Sequence, residues 1–175
     1  MNNLSISILT ILGSGITSAV VTYLLNSRKE ERLFIRQKLE ELHLALSRYS
    51  TNMASYLFTL RAMEGSIDIN EANTLMADRG TTREEKDALP TVERLIGIYF
   101  PDLEPQLNAV LTSRNKLANL NRSFQGDYRN GLTSNGPWLE PFRKEFILNE
   151  NIINKLKHDV ATHPIKTTQR KSIIP

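Results

Sequence analysis

The sequence predicts an all-α protein: an N-terminal transmembrane helix continues into a long helix that packs in an antiparallel cytoplasmic bundle of about four helices. Three observations predict it. Leu4 to Leu25 carry no charged side chain. An apolar seam then keeps heptad spacing for about four heptads. The remaining apolar positions recur at helical spacing between breaks marked by Gly and Pro, and no strand pattern of any quality interrupts them.

The first element, Leu4 to Leu25, is 22 residues long. At about 1.5 Å per residue it reaches roughly 33 Å, enough to cross a hydrocarbon core of about 30 Å. A cleaved signal peptide needs a basic n-region, a shorter apolar core and a small-x-small site. Met1-Asn2-Asn3 has no Lys or Arg, and Asn26-Ser27-Arg28-Lys29 is a poor cleavage site. A soluble core helix of this length would carry charges on one face. Residues 1–3 are then a short external N-terminus. Arg28, Lys29, Arg32, Arg36 and Lys38 come soon after the span, which places the remainder in the cytoplasm and the protein in the inner membrane as a single-pass chain. Tyr23 suits the inner boundary. Membrane lipids are expected partners of the flank Arg28, Lys29 and Arg32, an attraction diluted by Glu30, Glu31, Glu40 and Glu41.

The span is rich in hydroxyls. Ser7, Thr10, Ser14, Thr17, Ser18 and Thr22 fall within an arc of about 140°, interrupted by Ile11, Val21 and Leu25. Gly13, Gly15 and Ala19 add small surfaces. One reading is a helix–helix contact in the membrane through Ser7, Thr10, Ser14, Ser18 and Thr22, with a second copy or another protein. The other is that these hydroxyls bond their own i−4 carbonyls and the helix stands alone.

Beyond the membrane the seam is Ile35, Leu39, Leu42, Leu46, Tyr49, Met53, Tyr56, Leu60 and Met63. With no Pro or Gly between Asn26 and Gly65, one helix is expected from the span to about Glu64, stopped by Gly65. Such a seam serves either a parallel coiled-coil homodimer or the inward face of a bundle. The bundle is favoured, because the later amphipathic helices need a surface to cover.

Ser66 to Arg79 suggests a short helix carrying Ile67, Ile69, Leu75 and Met76. Gly80-Thr81-Thr82 is a break, and Thr82-Arg83-Glu84-Glu85 matches a capping box that starts a helix. Pro90 either kinks that helix or sits in the first turn of a new one. Leu89, Val92, Leu95, Ile96 and Tyr99 share a face. Phe100 to Pro105 is a corner, and the next helix runs from near Asp102 to about Gln125. Gly126 to Pro137 reads as a loop. A last helix runs from Trp138 or Leu139 to Thr162, with Leu139, Phe142, Phe146, Ile153, Leu156 and Val160 on its seam and Asn149 at the skipped position. The helical domain is thus 26–163, and residues 164–175 are expected to be a disordered basic tail.

Chemistry is sparse. There is no cysteine, which excludes disulfides, a thiol nucleophile and a cysteine zinc site. A formal charge of +3, with part of it at the membrane flank, does not argue for nucleic acid. His43, His158 and His163 have no metal-ligand spacing. Gly13-Ser14-Gly15 lacks the strand and Lys of a phosphate loop. Asp102 and Glu104 are better explained by a helix start than by acid–base work. Arg114, Lys116, Arg122 and Arg129 read as a solvated face, without interleaved aromatics. Trp138 reads as a core plug rather than an exposed partner anchor. No catalytic, metal or cofactor residue is expected, and none is assigned.

The chain resembles a loose class of small bacterial proteins with an N-terminal span, a charged juxtamembrane helix and an antiparallel helical domain, most closely at the corner Tyr99-Phe100-Pro101-Asp102-Leu103. The resemblance implies this architecture and no activity. The function expected is non-enzymatic: a membrane-anchored protein that tethers, senses or regulates through a cytoplasmic protein partner. The alternative is a membrane-perturbing effector or toxin of the anti-phage type, whose hydroxylated spans assemble as a homo-oligomer.

Overall fold

The structure, a computed structural model, describes residues 3–79, 82–131 and 136–164; the side chains of 3–20 and of Arg79 lie outside that description. Among the described residues every regular element is helical: α1 (Asn3–Met53), α2 (Tyr56–Met63), α3 (Ile69–Arg79), α4 (Arg83–Lys86), α5 (Ala88–Tyr99), a 3-10 turn (Pro101–Leu103), α6 (Glu104–Arg129) and α7 (Leu139–Ala161). The protein is all-α. Lys38–His163 form one compact unit.

Among the described residues no helix is long and apolar enough to cross a membrane. The backbone of the expected span is helical, but most of its side chains, including Ser7, Thr10, Ser14 and Ser18 of the hydroxyl stripe, lie outside the described residues. So does the tail from Ile165 onward.

Within the compact unit the long helices run antiparallel. Lys38 Nζ lies 5.8 Å over the Tyr99 ring and Arg94 is 3.5 Å from Glu41, so α1 ascends as α5 descends. Phe124 meets Trp138 with ring centroids 4.6 Å apart, and Lys116 reaches Glu145 at 3.8 Å, so α6 and α7 are opposed in the same way. The corner between α5 and α6 is closed by Phe100, which His163 meets edge-on at 5.4 Å.

The seam is straight only through Met53. Leu42, Leu46, Tyr49 and Met53 are buried within the single chain, but Tyr56 and Leu60 are half-buried. The expected unbroken helix to Glu64 is replaced by a turn at Ala54–Ser55. There the Ser55 hydroxyl donates to the Asn52 carbonyl at 2.7 Å, and the Ser55, Leu57 and Phe58 amides donate three residues back rather than four. A serine competing for a helical carbonyl tightens the turn without Gly or Pro. The rotation after this turn buries Thr59, Ala62 and Met63 in α2. Gly65, with φ at +74°, turns the chain after α2.

The capping box forms in full, with Thr82 Oγ1 accepting from the Glu85 amide at 3.2 Å and Glu85 accepting from the Thr82 amide at 3.3 Å. The helix it starts ends after four residues, and Pro90 occupies the first turn of α5. In the opposite direction, α6 runs through Gly126, expected to open a loop, as far as Arg129. An interior glycine costs about 1 kcal/mol against alanine. Buried Phe124, the Asp127 bond to Trp138 and the Tyr128 bond to Asp68 oppose that cost. The chain leaves α6 at Gly131, φ +92°.

One core cluster joins α2, α3, the end of α6 and the start of α7 through Met63, Ala72, Leu117, Phe124, Trp138 and Phe142. Trp138 is a plug, as expected, and Gly136 lies so close to its indole that a β-carbon there would overlap the ring. Fully buried Phe142 should lose about 3–5 kcal/mol of stability on replacement by Ala, from lost transfer energy and the cavity left behind. Ile98→Ala, at a site 62% exposed, should change it by less than about 0.5 kcal/mol. Urea denaturation followed by circular dichroism checks both, and similar costs at the two positions would contradict this packing.

Candidate functional site

The feature with the most chemical content is a half-open polar cavity of about 320 Å³ bordered by α1, α4, α5 and α6. Tyr49, Asn52 and Met53 come from α1, Glu85 and Lys86 from α4, Leu89, Pro90 and Glu93 from α5, and Arg114 from α6. Each is placed by its own helix's amphipathic spacing. Tyr49 and Met53 end the buried seam, Val92 and Leu95 bury the face of α5 beside Glu93, and Val110, Ser113 and Leu117 bury the face of α6 beside Arg114. The charged groups therefore sit on the rim, where each helix turns from core to solvent.

Tyr49 is 2% exposed and its hydroxyl has no hydrogen-bond partner. Burial pushes its ionisation up to about 12, while the Arg114 cation pulls it down and Tyr56 and Glu93 push it further up. The hydroxyl thus lies within the field of two rim charges that line the same cavity. No ion pair among the described residues engages Arg114, Lys86 or Glu93. A volume of this size lies at the lower end of small-molecule sites, which typically span about 300–1,000 Å³.

A second cavity of about 300 Å³ lies between α3 and α6, lined by Ile69, Asn70, Asn73, Gln125, Tyr128 and Arg129. At its edge Tyr128 donates to Asp68 Oδ2, while Asp68 Oδ1 accepts from the Asn70 amide at 2.7 Å in the manner of a helix cap. These two bonds, the Tyr128 one foremost, hold the Asp68 carboxyl below the usual carboxylate range. The group is structural: it starts α3 and ties it to α6.

The remaining residues singled out in the sequence are dispersed. His163 Nε2 is 3.7 Å from Asp102 at the α5–α6 corner. Arg122 donates to Asn119 Oδ1 at 3.2 Å. Arg114, expected on a solvated face, is at the cavity, while Arg129 is at the other one. Arg28, Lys29, Arg32 and Thr22 are exposed, and Ile35 and Leu39 are half-buried. Sequence reasoning placed Tyr49 in the apolar seam and so missed its hydroxyl, although a phenol at a heptad core position is itself a signal. The pairing of Glu93 with Arg114 across a cavity has no signature at 21 residues' separation. No family model, curated protein or solved structure matches the chain.

The unpartnered phenol makes a clear prediction. An acid whose folded ionisation is raised contributes stability that is complete below its unfolded value of about 10 and is lost as the pH rises through the folded value of about 12. Absorbance titration at alkaline pH should show one tyrosine ionising last and together with unfolding, and Tyr49→Phe should remove that component. The same variant should be as stable as the parent at neutral pH, or more so by about 1 kcal/mol, because it deletes a buried hydroxyl that lacks a partner. A clear loss of stability would show that the hydroxyl is bonded.

Proposed function

We propose that the chain is a non-enzymatic, single-pass inner-membrane protein whose cytoplasmic helical domain tethers, senses or regulates through a protein partner. The observation that carries the membrane part is the end of the uncharged run. Val21, Tyr23, Leu24 and Leu25 are 49%, 72%, 51% and 60% exposed. At 100° per residue they lie on opposing sides of α1, with Thr22 between them. A helix that is apolar all round needs an apolar surround on every side, and a lipid bilayer is one. The exposed Arg28, Lys29 and Arg32 one turn later suit the headgroup boundary and favour a cytoplasmic location for the remainder of the chain.

Support for a partner comes from the large apolar side chains that the helical domain leaves uncovered, among them Leu44, Leu57, Ile98, Ile147 and Leu148. Ile147 and Leu148 are adjacent on α7, beyond the face that buries Phe146 and Asn149.

Expressed with a C-terminal tag in bacterial cells, the full chain should stay with the membrane pellet through alkaline carbonate extraction. Removal of residues 1–25 should release the tagged domain to the supernatant. In intact cells a membrane-impermeant maleimide should label Asn2→Cys and spare Ser66→Cys until the cells are lysed. Recovery of the full chain in the supernatant would refute the anchor, and labelling of Ser66→Cys in intact cells would refute its orientation.

A further inference from the structure

We infer that the cavity between α1, α5 and α6 is a binding site for a free α-amino acid with an apolar side chain. The site goes beyond the anchoring and partner roles and does not depend on the membrane topology. Four features together carry it. Arg114 and Glu93 line one cavity from different helices, and no ion pair joins them. Two opposite charges that face a common space without meeting fit a ligand that carries both charges itself. A carboxylate matches the guanidinium, which offers parallel N–H donors, and an ammonium matches the Glu93 carboxylate.

The Tyr49 hydroxyl supplies a third polar group. It is buried and unbonded, and a carboxylate held by Arg114 would reach it once the side chains that cover the hydroxyl give way. A buried donor without a partner is destabilising, and a ligand oxygen would satisfy it. The fourth feature is the apolar lining from Met53, Leu89 and Pro90, which suits an aliphatic side chain rather than a charged one. A simple anion would meet Glu93 and Glu85 as repulsive neighbours, and a simple cation would meet Arg114 and Lys86 in the same way. The zwitterion alone uses both signs.

The test is isothermal titration of the full chain in detergent micelles with L-leucine and L-methionine. Isocaproate and isoamylamine, which each keep only one of leucine's charges, serve as comparison ligands. Saturable one-to-one binding of at least one amino acid is expected, with both comparison ligands weaker by about tenfold or more. Arg114→Ala and Glu93→Gln, both at exposed positions, should each weaken the amino acid by about tenfold or more, and Tyr49→Phe by about two- to tenfold. Thermal melts establish that each variant is folded before titration. Absence of heat with both amino acids would overturn the assignment. So would equal binding of isocaproate, which would mark an anion site, or unchanged affinity in both charge variants, which would place the ligand elsewhere.

Discussion

The structure depends on one constraint: the apolar face of α1 from Leu42 to Met53 has to be covered, and later helices of the same unit, α5 among them, cover it. No later helix of the unit is apolar all round, and α5, α6 and α7 each bury one stripe while leaving charges on the other side. Such helices have little stability alone in water and gain it from packing on a common surface. The buried α1 residues supply that surface, and the antiparallel order arises from short connections at Phe100–Leu103 and around Trp138. A seam already covered within the chain is what distinguishes this arrangement from a two-stranded zipper.

Most of this architecture is legible in the sequence, because it is written in spacing. The heptads of α1, the corner at Pro101, the capping box at Thr82 and the start of α7 all rest on short-range rules. The misread boundaries share a different origin. α1 stops at Met53 because the Ser55 hydroxyl bonds the Asn52 carbonyl, a local choice that many helical serines do not make. α6 continues through Gly126 because Phe124, Asp127 and Tyr128 are held by Trp138 and Asp68, which are distant in sequence. Tertiary bonds outweigh a glycine penalty of about 1 kcal/mol, and no local window contains them.

The cavity is less legible for the same reason. Its charges look like ordinary solvated helix positions: Glu93 beside Arg94, and Arg114 beside Lys116. Arg94 does find a local role, 3.5 Å from Glu41, and Lys116 reaches Glu145 at 3.8 Å. Glu93 is one residue from Arg94 and Arg114 two from Lys116, so each points to a different side of its helix, and both line the cavity with Tyr49. That difference of about 100° on α5 and about 160° on α6 separates a surface pair from a pocket, and only the packed structure expresses it.

Tyr49 belongs both to the packing of α1 and to the chemistry of the cavity. A phenylalanine would serve the seam as well or better, since the hydroxyl is buried without a partner and carries a desolvation cost. At the other seam positions of this stretch of α1 local rules and global packing agree: Leu42, Leu46 and Met53 are apolar and buried. Conflicts between a residue and its packing tend to fall where a protein does something beyond folding. Here the conflict falls on a side chain that lines the same cavity of about 320 Å³ as Arg114 and Glu93. The seam that organises the fold therefore also supplies, at one position, the polar atom that folding alone does not require.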